Sequence, residues 1–133
     1  MRKKIILLAT VVALIAVAGL LVFTRQPETR FDGERISNPG HFALRFDRMN
    51  GTDSETMALQ EGDAIHVSWQ IESGRVDMSI GMEGEEAIYR ADDRPAGDQA
   101  DFDVEIPQTG SYTITVFARE AKGKVEFSKG KNE

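Results

Sequence analysis

The sequence predicts an all-β domain, an antiparallel two-sheet sandwich of about eight strands, preceded by one transmembrane helix. From residue 41 onward, hydrophobic residues recur at every second position, which is the period of a half-buried strand. Glycine, proline, asparagine and aspartate separate these runs where a meandering chain needs turns. Before them, a 19-residue uncharged run follows three basic residues.

The uncharged run covers residues 5–23 and is long enough to cross a membrane. As a helix it would extend about 28 Å, close to the ~30 Å hydrocarbon thickness of a bilayer. The basic cluster at residues 1–4 should stay cytoplasmic under the positive-inside rule. We therefore expect a single-pass signal anchor in the cell membrane, with the C-terminal domain extracytoplasmic.

Cleavage as a signal peptide is the alternative for this segment. Ala16-Val17-Ala18 has the small-x-small pattern of a signal peptidase site, and cleavage after Ala18 would give a secreted protein. The apolar run continues through Phe23, however, so a cleaved product would begin with a hydrophobic segment. This continuation favours an uncleaved anchor.

Residues 24–40 are predicted to be a stalk or linker. They are polar, contain two prolines and show no sustained period. Phe31 and Ile36 are the residues in this segment that would pack onto the domain if the boundary lay earlier. The domain itself is assigned to residues 41–129, with a short tail at 130–133.

The predicted strands follow one another as alternating apolar positions. In chain order these are Phe42, Leu44 and Phe46; Met57 and Leu59; Ile65, Val67, Trp69 and Ile71; Val76, Met78, Ile80 and Met82; Phe102, Val104 and Ile106; Tyr112, Ile114 and Val116; and Val125 and Phe127. A short strand around Ala87-Ile88-Tyr89 completes the set. Since each strand has one apolar face, two sheets should pack face to face, with Trp69 at the centre of the core.

Two stretches of this pattern resemble a known β-sandwich family. Residues 59–89, including Trp69, and residues 102–127 look like a GOLD-type domain and are similar to bacterial pre-peptidase C-terminal domains. The resemblance implies a jelly-roll or GOLD-like sandwich in which Gly110 and Tyr112 begin a strand after a tight turn. It also implies a role in protein interaction rather than catalysis. The GOLD domains of p24 proteins carry a disulfide and a C-terminal span, whereas this chain has no cysteine and an N-terminal apolar run.

Charge and cysteine content exclude several functions. All 22 acidic residues lie beyond residue 26, whereas four of the 16 basic residues lie before it. The acidic domain should repel phosphate backbones and anionic lipids, which disfavours nucleic-acid binding. The absence of cysteine excludes disulfides, thiolate zinc sites and cysteine nucleophiles. We expect no cofactor.

An acidic segment at residues 91–103 holds the candidate metal ligands. Calcium requires six to eight oxygen ligands, and the spacing of these carboxylates matches no calcium loop. Alternation with Phe102 and Val104 instead favours the solvent face of a strand. The candidate ligands are Asp92, Asp93, Asp98 and Asp101.

His66 and Phe117 are the two candidate interaction residues. His66 shares the polar face of its predicted strand with Ser68, which suggests a His-Ser-acid triad but without the strained turn and oxyanion donors of a nucleophile site. An exposed sheet histidine is favoured. Phe117 breaks the alternation, and we expect a bulge that turns it inward or an edge-covering role, the alternative being an exposed apolar spot.

Ile106-Pro107-Gln108-Thr109-Gly110 resembles a sortase sorting signal. Such signals precede a hydrophobic tail, whereas a predicted core strand follows here. A hairpin turn is therefore the favoured interpretation.

These observations lead to one function hypothesis and one alternative. The first is a membrane-anchored, extracytoplasmic interaction module, non-catalytic, that binds another envelope protein or a polymer. The alternative is a sensor or accessory protein of the envelope that binds calcium or carbohydrate.

Overall fold

The computed structural model describes residues 29–130, which form an antiparallel sheet of six strands. The strands are β1 (Arg30–Asn38), β2 (His41–Leu59), β3 (Ala64–Gly81), β4 (Tyr89–Pro95), β5 (Gln99–Glu105) and β6 (Gly110–Lys129). The predicted anchor at residues 5–23 lies outside the described residues. Within residues 29–130, no helix of membrane-spanning length and hydrophobicity is found.

The eight predicted strands become five because three of the observed strands are long and bent, and β1, which the sequence did not predict, is the sixth. β2, β3 and β6 have 19, 18 and 20 residues, and each joins two of the predicted alternating runs. The turn signals between those runs produce irregular pairing inside a strand rather than a reversal of the chain. The expected short strand at Ala87-Ile88-Tyr89 is also displaced, since β4 begins at Tyr89 and continues into the acidic segment at residues 91–103.

The bends divide the sheet into two half-sheets. The first half-sheet contains β1, residues 41–46 of β2, 123–129 of β6, 64–71 of β3, and β5. The second contains residues 49–59 of β2, 110–121 of β6, 75–81 of β3, and β4. The two half-sheets face each other across one core, so the sandwich is made from a single folded-over sheet.

Unusual backbone conformations lie where the long strands bend. Gly74 has a φ of +76° and Glu120 has a φ of +46°, and the β3–β6 register shifts on both sides of Ser73. The β2–β6 register shifts around Met49. Bulges of this kind increase the local bend of a strand, which turns the second half-sheet over the first.

The core is one contiguous cluster of buried side chains from both half-sheets. Its fully buried large side chains include Tyr112, Phe42, Phe46 and Phe127. Trp69 is also buried, but its indole Nε1 donates a hydrogen bond to Asp98 Oδ2 at 2.9 Å. Trp69 keeps 6% of its surface exposed, against 0% for Phe42 and Tyr112, so it lies nearer the margin of the core than its predicted central position.

β1 occupies most of the predicted stalk and pairs along its length with β2. All nine of its residues are exposed, and Phe31 and Ile36 keep 38% and 46% of their surfaces exposed, so neither residue enters the core. Arg35 instead joins β1 to the second half-sheet. Its guanidinium contacts Asp53 at 2.8 Å and Glu55 at 3.0 Å. The sheet therefore begins at β1, before the expected boundary at residue 41. β1 has no buried apolar face, and it is held to the domain by backbone pairing with β2 and by the polar contacts of Arg35.

Candidate functional site

The solvent side of the first half-sheet is the first candidate surface, which we call the charged face. In β2, β3 and β6 the strand pleat sends every second side chain outward, because its neighbours in sequence enter the core. Pairing of β1 with β2 and of β5 with β3 places further side chains on the same side. Its members are Glu34, Ile36, Ala43, Arg45, His66, Ser68, Gln70, Gln99, Asp101, Asp103, Lys124 and Glu126.

A shallow trough crosses the charged face from β5 to β1. It consists of three open depressions of about 450, 310 and 260 Å³ that adjoin at Lys124. Among the residues that line it, Ala43 and Ser68 have short side chains, whereas Arg45 and Gln70 have long ones. Five strands at a spacing of about 4.8 Å make the trough roughly 19 Å long.

His66 lies at one margin of the charged face, between two carboxylates. Its Nδ1 is 2.7 Å from Asp103 Oδ1, and its Nε2 is 2.8 Å from Asp101 Oδ1. The hydrogen bond with Asp103, reinforced by both negative charges, raises the pKa of His66. Because each ring nitrogen faces a carboxylate, neither is directed at Ser68, and the arrangement is not that of a nucleophile and its base.

The four candidate metal ligands do not converge. Asp98 accepts the indole hydrogen bond, and Asp101 contacts His66. Asp93 contacts the guanidinium groups of Arg75 and Arg119, while Asp92 lies 3.9 Å from that of Arg90. Across residues 29–130, no group of three or more histidine or carboxylate side chains is placed to hold a metal ion. Asp92 and Asp93 lie on β4, Asp98 lies in the turn that follows, and Asp101 lies on β5. The spacing of these residues in the sequence did not reveal that they belong to three different elements.

The solvent side of the second half-sheet is chemically different, and we call it the hydroxyl face. Strand register places Ser54, Thr115 and Ser79 side by side in one row. In the next row, the Oγ1 atoms of Thr56 and Thr113 are 3.5 Å apart. Other hydroxyl side chains on this face are Thr52 and Ser111.

Phe117 stands on the hydroxyl face, with 38% of its surface exposed. The expectation that a bulge turns it into the core is wrong, because Val116 and Ala118 are buried and the alternation continues. The apolar side chain of Phe117 suggested burial, whereas the alternation of β6 by itself indicates that residue 117 points outward. The guanidinium of Arg119 lies 5.7 Å from the centre of its ring.

A cleft opens beside the Phe117 ring on the hydroxyl face. Its volume is about 290 Å³. Phe117 and Thr115 of β6 form one wall, Arg90 and Asp92 of β4 form the other, and Ser79 of β3 lies between them. The sequence placed these residues in three separate segments, and only the register of β3 with β4 and β6 brings them together.

Comparison with known proteins gives structural likenesses of low sequence identity. No family model and no curated protein matches the chain. The structure is similar to PliG of Aeromonas hydrophila, a periplasmic inhibitor of g-type lysozyme, with 18% identity, 73% and 92% of the two chains covered, and a TM-score of 0.48.

Two other solved structures show comparable similarity. One is the pre-peptidase C-terminal domain of collagenase from Bacillus anthracis, with 16% identity, 78% and 100% coverage, and a TM-score of 0.46. The other is a carbohydrate-binding module of Cellvibrio mixtus lichenase 5A in complex with cellotriose, with 11% identity, 77% and 88% coverage, and a TM-score of 0.43. None of these values assigns a function to the chain.

Proposed function

We propose that the chain is a non-catalytic interaction module, anchored in the membrane by residues 5–23, whose charged face binds another envelope protein or a polymer outside the cytoplasm. The trough supports this proposal most directly. It is open to solvent along its length and extends over several strands, which suits an extended partner better than a small enclosed substrate.

The charges along the trough provide a means of recognition. Arg45 and Lys124 are cross-strand neighbours that form a basic pair, with Glu34 at one end of their row. Glu126 and Asp101 lie in the next row, so the trough presents both signs of charge. The Arg45–Glu34 pair is separated by 3.6 Å, and both side chains are more than half exposed. Such exposed pairs contribute little to stability. They can therefore exchange their partners for complementary groups on another molecule, which gives specificity to binding.

The charge of the domain indicates the kind of surface that the partner presents. The acidic excess beyond residue 26 favours encounter with a partner of net basic charge and disfavours an anionic one, whereas the Arg45–Lys124 pair in the trough would face an acidic group of that partner. A membrane anchor would keep the charged face near other envelope components and raise their effective concentration. Binding would then need only modest intrinsic affinity.

The proposal is tested by capturing the partner with matched face variants. Tagged full-length chain is isolated from crosslinked membranes of the native cell, using the wild type, Lys124→Glu, and Ser54→Glu on the hydroxyl face as a control for added charge. We expect a discrete partner to be lost with Lys124→Glu and retained with Ser54→Glu. Recovery of the same components with all three chains would contradict binding through the charged face.

A further inference from the structure

We propose that the hydroxyl face is a second binding surface, which takes a neutral saccharide chain with Phe117 as the aromatic platform beneath one sugar ring. This proposal does not rest on the function of the charged face, because the two surfaces lie on opposite sides of the core. It depends on the ring, the cleft and the hydroxyl rows taken together.

Phe117 has the position that a sugar-stacking ring requires. It projects from the middle of a sheet face and keeps 38% of its surface exposed. The face of an aromatic ring carries partial negative charge and attracts the C–H groups on the apolar side of a pyranose. Thr52 and Asp77 flank it on the neighbouring strands, and the guanidinium of Arg119 lies over the ring at 5.7 Å from its centre. A sugar ring would therefore stack on the part of the Phe117 ring that Arg119 leaves exposed, where it meets no other large apolar side chain.

The cleft supplies polar groups at the edge of such a stacked ring. Arg90 and Asp92 stand opposite Phe117 and Thr115. A guanidinium donates and a carboxylate accepts, so the pair can bind adjacent sugar hydroxyls, which themselves both donate and accept. The Arg90–Asp92 separation is 3.9 Å with both side chains 65% exposed, which leaves them available to a ligand.

Local charge compensation favours a neutral saccharide over an anionic one. Arg119 contacts Asp77 at 3.3 Å and Asp93 at 2.9 Å, and Arg75 contacts Asp93 at 3.2 Å. The cations around Phe117 are therefore matched by carboxylates, and no excess positive charge is offered to a uronate or sulfate. An anionic polymer would instead meet the repulsion of the acidic domain.

The hydroxyl rows extend this surface away from the cleft. Thr115 borders both the cleft and the row formed with Ser54 and Ser79, and the row of Thr56 and Thr113 follows. These rows carry uncharged hydroxyl groups over three strands, about 10 Å across. A chain whose terminal ring stacks on Phe117 could continue over them by exchanging hydrogen bonds with water for hydrogen bonds with threonine and serine.

The test uses the full chain in detergent with named polysaccharides. Binding to cellulose and chitin, both neutral, is measured by co-sedimentation and compared with binding to polygalacturonate, which is anionic. Phe117→Ala is compared with Phe31→Ala, since Phe31 has the same 38% exposure on β1, away from the hydroxyl face. Thr115→Val removes one hydroxyl group and keeps the β-branched shape.

We expect binding to at least one neutral polymer and none to polygalacturonate. Phe117→Ala should weaken binding about tenfold, as expected for loss of an aromatic contact, and Thr115→Val should weaken it by a smaller factor. Phe31→Ala should bind like the wild type. Failure of the wild type to bind either neutral polymer, preference for polygalacturonate, or equal losses for both phenylalanine variants would overturn the proposal. None of these results bears on partner capture by the charged face.

Discussion

Trp69 connects the core to the turn between β4 and β5 through one hydrogen bond, and to β5 through one ring contact. Its indole donates to Asp98 and meets the edge of Phe102 at 5.5 Å between ring centres. Trp69→Ala should lower the free energy of unfolding by about 3–5 kcal/mol, because it leaves a cavity. Urea unfolding of the full chain in detergent measures the change. Phe117→Ala, a partly exposed aromatic on the same scaffold, should shift it by only about 1 kcal/mol, and equal effects would contradict this placement of Trp69.

His66 gives the domain a pH-dependent contribution to stability. Its pKa is raised in the folded state by Asp103 and Asp101. The protonated ring is therefore favoured by folding, and this contribution is fully present below the unfolded pKa of about 6.5 and lost as pH rises through the higher folded value.

Unfolding at about pH 5 and pH 8.5 measures the contribution of His66. We expect the wild type to lose more stability over this interval than His66→Gln does. Replacing the other histidine, His41→Gln, should leave most of the difference in place. An identical pH dependence in the wild type and His66→Gln would show that the two carboxylates do not act on the ring.

At the scale of the element, the bend in β3 depends on Gly74. A Cβ atom there would lie 2.3 Å from the carbonyl oxygen of Glu120, and the φ of +76° already disfavours an L side chain. Gly74→Ala should therefore destabilise the domain by more than about 1 kcal/mol. Gly84→Ala is the matched control, because its φ is +78° but nothing lies within 4 Å of the added Cβ. Equal losses in thermal melts would mean that backbone strain alone, and not the close approach of β3 and β6, makes Gly74 necessary.

The strand pattern was the part of the fold that could be predicted from the sequence. Buried positions such as Leu44, Val67 and Ile114 follow from the period of two, because the pleat fixes which side chains share a face. The bends were missed because Ser73-Gly74 and Lys122-Gly123 signal either a hairpin or a bulge, and pairing across the sheet decides between them. β1 was missed because its pairing uses the backbone and Arg35, and no apolar alternation marks it.

For the candidate surfaces, too, the sequence predicted which way single side chains face but not which residues come together. The sequence placed His66 on a polar strand face, but its contact with Asp101 and Asp103 depends on the pairing of β3 with β5. The trough and the Phe117 cleft each combine residues from at least three strands. Which strands pair depends on contacts between distant parts of the chain, and the alternation of residues within one strand does not indicate its neighbours.

At the scale of the whole molecule, the predicted anchor sets where the sandwich acts. We expect the full chain to fractionate with membranes and its C-terminal domain to be accessible to protease from outside, because the basic cluster precedes the apolar run. Protease treatment of intact cells, followed by detection of a C-terminal tag, measures this. Soluble protein beginning at Gly19 would contradict the anchor and support cleavage after Ala18.

The most direct measurement of partner binding is site-specific photo-crosslinking in the native cell. A photoreactive residue is placed at Gln70 or Gln99, which line the trough on the charged face, and at Ser54 or Thr113 on the hydroxyl face. Our account predicts the same discrete crosslinked protein or polymer from positions 70 and 99, and no such product from positions 54 and 113. The same product at equal yield from positions 54 and 113, or no product from positions 70 and 99, would contradict the proposal that the charged face is the partner-binding surface.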